Sequence, residues 1–205
     1  MVVQPVYDIY AVAQNTAMGQ LTLFTVPLGQ TYNFNGVTAF TKGLGHTNLV
    51  QAGMLESSYT FIVRALSFYV QGLQGAAAPL LHVQDLINIL SSFVQFSINR
   101  KPYFEGILGW LPGGGGAALS GFGTLTAPVS SHNSTNGWPE TDNVYALPGG
   151  QFINPQENFS CLINPTQNAG GTPSALATAG SPAGVVASGL MGWFRMDGTL
   201  IRVAQ

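Results

Sequence analysis

A chain of 205 residues in which 46% are apolar can bury a full hydrophobic core within one domain. Only 7% of its residues are charged, against about 25% in ordinary soluble domains, and the net charge is −2. A pI near 5.8, with no basic residue before Lys42, argues against nucleic acid as the main partner. Such weak charge repulsion favours association of copies, and the alternative is a monomer with a neutral polar coat.

The first 40 residues carry three patterns typical of strands. Tyr7–Val12 has β-forming residues on both faces. Leu21 to Val26 predicts a second strand, ended by Pro27. Tyr32 to Phe40 predicts a third, interrupted by a turn or bulge at Asn35-Gly36.

The middle of the chain predicts one long strand and one helix. Tyr59 to Val70 has the strongest strand pattern in the sequence. An apolar stripe at positions i, i+3, i+4 and i+7 then predicts a helix within residues 82–92, formed by Val83, Leu86, Ile87 and Leu90. We expect this helix to pack against the sheets and to be the longest in the chain.

The second half predicts shorter strands separated by loops. Phe96 and Ile98 lead to a polar turn at Asn99–Lys101. Short strands at Val144–Leu147 and Asn158–Ile163 flank a Pro-Gly turn. Loop-like composition marks three segments, Gly106 to Gly116, Gly121 to Pro139 and Gly170 to Gly184.

The last strand pair is predicted as a hairpin. Trp193–Met196 runs into Asp197-Gly198, and Thr199–Val203 returns. Asp-Gly is a preferred pair for a type I′ turn, which needs positive φ at both central residues. Eight to ten short strands, one short helix and long loops together predict a single antiparallel all-β domain over residues 1–205, of the sandwich or barrel kind.

Motifs for catalysis and for cofactor binding are missing from the sequence. No Gly-x-Ser-x-Gly or Gly-Lys-Ser/Thr pattern occurs, and the histidines are widely spaced. Cys161 is the single cysteine, which excludes an internal disulfide and a Cys-based zinc site. Glu140 and Asp142, beside Trp138, are a pair of acids that a glycosidase could use, but a polar turn is the preferred interpretation. We expect no enzyme activity, no cofactor and no metal.

The order of these patterns resembles the single jelly-roll capsid proteins of icosahedral viruses, including tailless bacteriophages. The resemblance is carried by the strand at Tyr59 to Val70, the helix after it, the strand region Phe96 to Glu105 and the C-terminal strand pair. It implies a jelly-roll sandwich that self-assembles into a virion shell, as a major or minor capsid protein. Many such proteins bind nucleic acid through a basic N-terminal arm, and no such arm is found in this sequence. The shell would then enclose an internal membrane or another packaging protein, or it would enclose no genome.

Shell assembly implies that the partners are copies of the chain and other shell proteins. It also implies synthesis in the host cytoplasm and a final location in the virion. The predicted subunit contacts are Trp110, Leu111 and Trp138, because their loops would otherwise expose large apolar side chains. The alternative from another class is a carbohydrate-binding or adhesion β-sandwich, in which tryptophans stack on sugars.

Overall fold

The structure, a computed structural model, describes residues 2–13, 16, 19–33, 37–72, 83–111, 113, 118–122, 131–137, 144–165 and 190–202. These residues form an all-β fold with antiparallel sheets and little helix. The strands are β1 (Val2–Val3), β2 (Val6–Val12), β3 (Leu21–Leu23), β4 (Thr31–Tyr32), β5 (Phe40–Thr41), β6 (Tyr59–Gly72), β7 (Phe93–Ile98), β8 (Lys101–Ile107), β9 (Ala118–Phe122), β10 (Ser131–Thr135), β11 (Tyr145–Ile153), β12 (Phe159–Asn164) and β13 (Leu190–Arg202). The helices are α1 (Val83–Leu90) and a 3-10 turn, η1 (Leu108–Trp110).

Two larger sheets contain most of these strands. In the first sheet β13 lies between β6 and the edge strands β1 and β2, and β11 pairs with the far side of β6. The second sheet has the order β3-β12-β7-β8. Strands β4 and β5 form a two-stranded ribbon, as do β9 and β10.

Side chains from both sheets meet in one hydrophobic core. The ring of Phe194 on β13 lies 6.1 Å, centroid to centroid, from that of Phe96 on β7. Phe24, just after β3, packs edge-to-face against Phe194 and Phe159, with ring centroids 6.1 and 5.1 Å apart. Each such fully buried aromatic ring stabilises the fold by about 1.5–3 kcal/mol relative to an exposed one. Alternation of buried and less buried residues along β7 and β12 follows from having only one face on this core.

The strands predicted around residues 7–12, 59–70, 96–98 and 158–163 are confirmed as β2, β6, β7 and β12. The strand predicted over 21–26 is shorter and ends at Leu23, because Phe24 has a positive φ of 68°. The predicted helix is confirmed as α1, but its buried side chains differ from the predicted stripe. Leu86 and Ile89 are buried, whereas Ile87 is 52% exposed. The helix is only eight residues long, so it contacts the core along one narrow line, and Ile87 lies to the side of that line.

The predicted hairpin at Asp197-Gly198 is wrong. β13 is continuous from Leu190 to Arg202, and a β-bulge at Asp197/Gly198 shifts its register against β6. A Cβ atom at Gly198 would stand 2.0 Å from the carbonyl oxygen of Ile62, so the glycine permits close approach of two strands. Glycine at a bulge and glycine at a turn give the same local sequence signal.

The predicted Pro-Gly turn after Leu147 is also a bulge. β11 pairs with β6 on both sides of it, through Ala146 and through Gln151. Gly149 and Gly150 have φ of 75° and 68° and absorb the extra residues. The type I′-like turn lies instead at Asn99-Arg100, where both residues have positive φ, between the paired Ile98 and Lys101.

Candidate functional site

Trp110 occupies an exposed position where β8 passes into η1. The backbone N–H of Leu108 donates to the Ser92 carbonyl at 2.8 Å, and the N–H of Leu111 donates to the Leu108 carbonyl at 3.0 Å. The side chains of Leu108 and Leu111 are buried, and this fixes the turn between them. Trp110 is therefore held outward by its neighbours, with 59% of its surface exposed.

A glycine makes room for the Trp110 ring. A Cβ atom at Gly106 would lie 2.6 Å from Cε3 of Trp110, so the indole packs directly on the β8 backbone. Gly109 similarly lies against α1, where a Cβ atom would be 3.1 Å from the carbonyl oxygen of Leu90. The ring is thus packed against the backbone on one side and exposed on the other.

Two further exposed apolar residues lie on the strands that precede Trp110 in the chain. Phe93 on β7 and Ile107 on β8 are register partners and are 42% and 41% exposed. Alternation along the strands places both on the face opposite to Gly106 and its partner Val94, so they lie on the other side of the sheet from the Trp110 ring. Ile87 on α1, which contacts η1 through Gly109, is 52% exposed. We call the exposed side of the Trp110 ring the Trp110 surface, and tryptophan is enriched in surfaces that meet another protein.

The three residues predicted as subunit contacts have different positions. Trp110 is exposed as a contact residue must be. Leu111 is 1% exposed and belongs to the core of its own chain, so it lies beneath the surface rather than on it. Trp138 lies outside the described residues, as do Glu140, Asp142 and the predicted loop from Gly170 to Gly184.

A buried ion pair lies at the β2 edge of the first sheet. Nζ of Lys42 is 2.5 Å from Oδ1 of Asp8, and each side chain is 1% exposed. Oδ2 of Asp8 accepts a hydrogen bond from the Phe24 backbone N–H at 2.6 Å. Burial raises the pKa of Asp8 and lowers that of Lys42, while the attraction between the two opposes both shifts.

His46 belongs to the same region. Its Nδ1 accepts a hydrogen bond from the Gly43 backbone N–H at 3.0 Å, and its ring packs edge-on against Phe40. Burial, aided by the positive charge of Lys42, lowers the pKa of His46 below 6.5. The neutral ring is therefore the form that the fold accommodates.

Two further titratable side chains lie wholly within the core. The ring of Tyr10 stacks parallel to Phe68, and its hydroxyl has no hydrogen-bond partner in the described structure. Burial raises the pKa of this phenol well above 10 and also raises that of the Cys161 thiol. Both groups stay neutral, and Cys161 is a buried apolar residue.

Sequence reasoning missed the pairing of Asp8 with Lys42 and the role of Asn136. The Asn136 side chain accepts from the Val70 N–H at 2.9 Å and donates to the Phe68 carbonyl at 2.5 Å, at a stretch of β6 beyond its pairing with β11. An acid inside a strand of apolar residues was a signal for the ion pair. No local signal marked Asn136, because its partners are more than 60 residues away.

Within the described ranges no three His, Cys, Asp or Glu side chains are grouped to hold a metal ion. The same ranges contain no helix with the length and apolar character needed to cross a membrane. Comparison with protein-family models, with curated proteins and with solved structures found no match to this chain.

Proposed function

We propose that this chain is a structural protein that folds as a jelly-roll sandwich and assembles with copies of itself into a virion shell. The observation that supports self-association is the Trp110 surface, which is uncharged and whose ring packs on the backbone of Gly106. A chain with 7% charged residues and a net charge of −2 has little repulsion to keep such surfaces apart.

The strand order supports the jelly-roll part of the proposal. The eight main strands in chain order are β2, β3, β6, β7, β8, β11, β12 and β13. Numbered one to eight, they give sheet orders 1-8-3-6 and 2-7-4-5. First pairs with last, second with seventh, third with sixth and fourth with fifth, which is the arrangement of a long hairpin rolled into two sheets.

The loop and helix positions support shell formation through the ends of the sandwich. The Trp110 surface lies where the second sheet meets η1 and α1, at the β7–β8 pair. Copies that meet there would bury the exposed part of the Trp110 ring, and burial of apolar area contributes roughly 25 cal/mol per Å². The proposed partners are copies of this chain and other shell proteins, with the virion as their location.

Light scattering of two matched variants tests the self-association. Trp110→Ser removes the central ring of the proposed contact, and Phe152→Ser removes a similarly exposed aromatic residue from β11. We expect wild type and Phe152→Ser to form large particles or capsomers, and Trp110→Ser to form smaller species with an unchanged circular dichroism spectrum. A wild-type chain that is monomeric at high concentration contradicts the proposal.

One observation favours a carbohydrate-binding protein as a second candidate. An indole that rests on a glycine backbone with its other side open is also a suitable platform for a sugar ring. In that case Trp110→Ser would abolish retention on immobilised glycans, while the wild-type protein would elute as a monomer or small oligomer. The two candidates therefore give opposite results in the same scattering experiment.

A further inference from the structure

The outer edge of β2 is closed by side chains rather than by another strand. One side of β2 pairs with β13 over residues Val6–Val12. On the other side, backbone groups of the alternate residues Pro5, Tyr7, Ile9 and Ala11 bond to side chains from residues 32–48. An incoming strand would bond to an edge with the same two-residue period.

Two consecutive residues cover the start of this edge. The Asn48 amide accepts from the Tyr7 N–H at 3.1 Å and donates to the Pro5 carbonyl at 2.7 Å. The Thr47 hydroxyl donates to the Tyr7 carbonyl at 3.0 Å. Together they satisfy both backbone groups of Tyr7, as a paired strand would.

Tyr32 and Lys42 cover the rest of the β2 edge. The Tyr32 hydroxyl accepts from the Ala11 N–H at 3.0 Å and donates to the Ala11 carbonyl at 3.1 Å. Nζ of Lys42 lies 3.4 Å from the Ile9 carbonyl oxygen while it pairs with Asp8. The edge-facing bonds therefore run along the strand from Pro5 to Ala11.

We propose that Tyr32, Lys42, Thr47 and Asn48 form an edge guard, which occupies the strand-addition surface of β2 and so prevents a second copy from extending the first sheet. The sequence Val-Tyr-Asp-Ile-Tyr-Ala-Val is rich in β-forming residues, and Lys42 compensates its one charge. An exposed strand of that kind is a template for pairing between chains.

A second copy is the occupant that the guard excludes. Every copy carries the same edge, and two β2 edges placed antiparallel about a two-fold axis present the same groups to each other. The guard stands independently of the proposed function, because it concerns the edge of the sheet and not the Trp110 surface.

A double variant that opens the edge tests the proposal. Tyr32→Phe and Thr47→Val together remove two hydroxyls from the guard and keep side-chain shape. The control Tyr69→Phe with Thr25→Val also removes two hydroxyls that donate hydrogen bonds, to Gln71 and to the Thr22 carbonyl, and neither acceptor is a backbone group of β2. Hydrogen exchange at Ala11, thioflavin fluorescence, and binding of a synthetic peptide with the sequence of residues 6–12 are measured for each protein.

We expect exchange at the Ala11 amide to rise at least about fivefold in the guard variant, the factor that follows from one lost hydrogen bond. The guard variant should also show concentration-dependent, thioflavin-positive association and should capture the peptide, whereas wild type and control should show neither.

If Ala11 exchange rises but neither association nor capture follows, the proposal is wrong. Capture of the peptide without self-association also overturns it, because the excluded occupant is then not a second copy. Should the double variant fail to fold, the single Tyr32→Phe variant decides by the same measurements. These readouts concern β2 alone, so a failure of shell assembly leaves their outcome unaffected.

Discussion

Lys42 and Asp8 form an ion pair of 2.5 Å inside a fold with very few charges, and both side chains are almost completely buried. Lys42 follows β5 and Asp8 lies on β2, so the pair joins the edge guard to the first sheet. Taking two charges out of water is costly, and their mutual attraction, the Phe24 N–H and the Ile9 carbonyl offset that cost.

Lys42→Met should lower the free energy of unfolding by about 3–5 kcal/mol, because it leaves a buried carboxylate without its partner. The double variant Lys42→Met with Asp8→Asn should lose less than the sum of the two single changes. Urea denaturation of all four proteins measures this coupling. Additive losses would mean that the two groups do not interact in solution.

His46 should make the stability of the protein depend on pH below neutrality. Its pKa in the folded state is lower than 6.5, so the unfolded chain takes up the proton first. The contribution of the neutral ring is complete above about pH 6.5 and is lost as the pH falls toward the lower folded pKa. His46→Phe keeps a ring against Phe40 but does not titrate. We measure the unfolding free energy of wild type and of this variant from pH 7.5 to 5. The advantage of wild type should shrink or change sign as the pH falls, and a constant difference would contradict the lowered pKa of His46.

Gly198→Ala should destabilise the first sheet by about 2 kcal/mol or more, since the added carbon would meet the Ile62 carbonyl at 2.0 Å and the strands would have to separate. Gly43→Ala is a matched control, because nothing lies within 4 Å of a Cβ atom there. Thermal unfolding of the two variants provides the comparison. Equal melting temperatures would show that the bulge relaxes without cost.

Tyr10→Phe should leave stability unchanged or raise it by about 1–3 kcal/mol, because the change removes a buried hydroxyl that lacks a partner and keeps the ring on Phe68. Denaturant unfolding checks the direction. A clear loss of stability would indicate that the hydroxyl is hydrogen-bonded to water or to another part of the chain.

The proposed particles should persist from low salt to about 1 M salt. The Debye length falls from about 8 Å at physiological ionic strength to about 3 Å at 1 M, which weakens exposed charge pairs but not apolar contacts. Light scattering over this range, at constant protein concentration, gives the particle size. Dissociation at high salt would assign the contacts to charges and not to the Trp110 surface.

Period and composition predicted the strands that face one core, because alternation in β7 and β12 is a local property. They did not separate a bulge from a turn at Gly198, since that depends on how near Ile62 comes from another strand. Within the candidate site, Trp110 was predicted as a subunit contact because its large apolar side chain lies in a loop-like segment, and its exposure in the single chain is compatible with that prediction. The burial of Leu111, its immediate neighbour, depends on the η1 turn, which the sequence pattern did not predict.

β13 lies between β2 and β6 in space but follows both in the chain. On a ribosome that adds about 5–20 residues per second, roughly 120 residues separate the synthesis of β6 from that of β13, a delay of roughly 6–24 s. During this interval β2 and one side of β6 lack β13, the strand with which they pair in the finished sheet. The first sheet must therefore close after most of the chain has been made, and a nascent chain depends on protection of these two strands until β13 arrives.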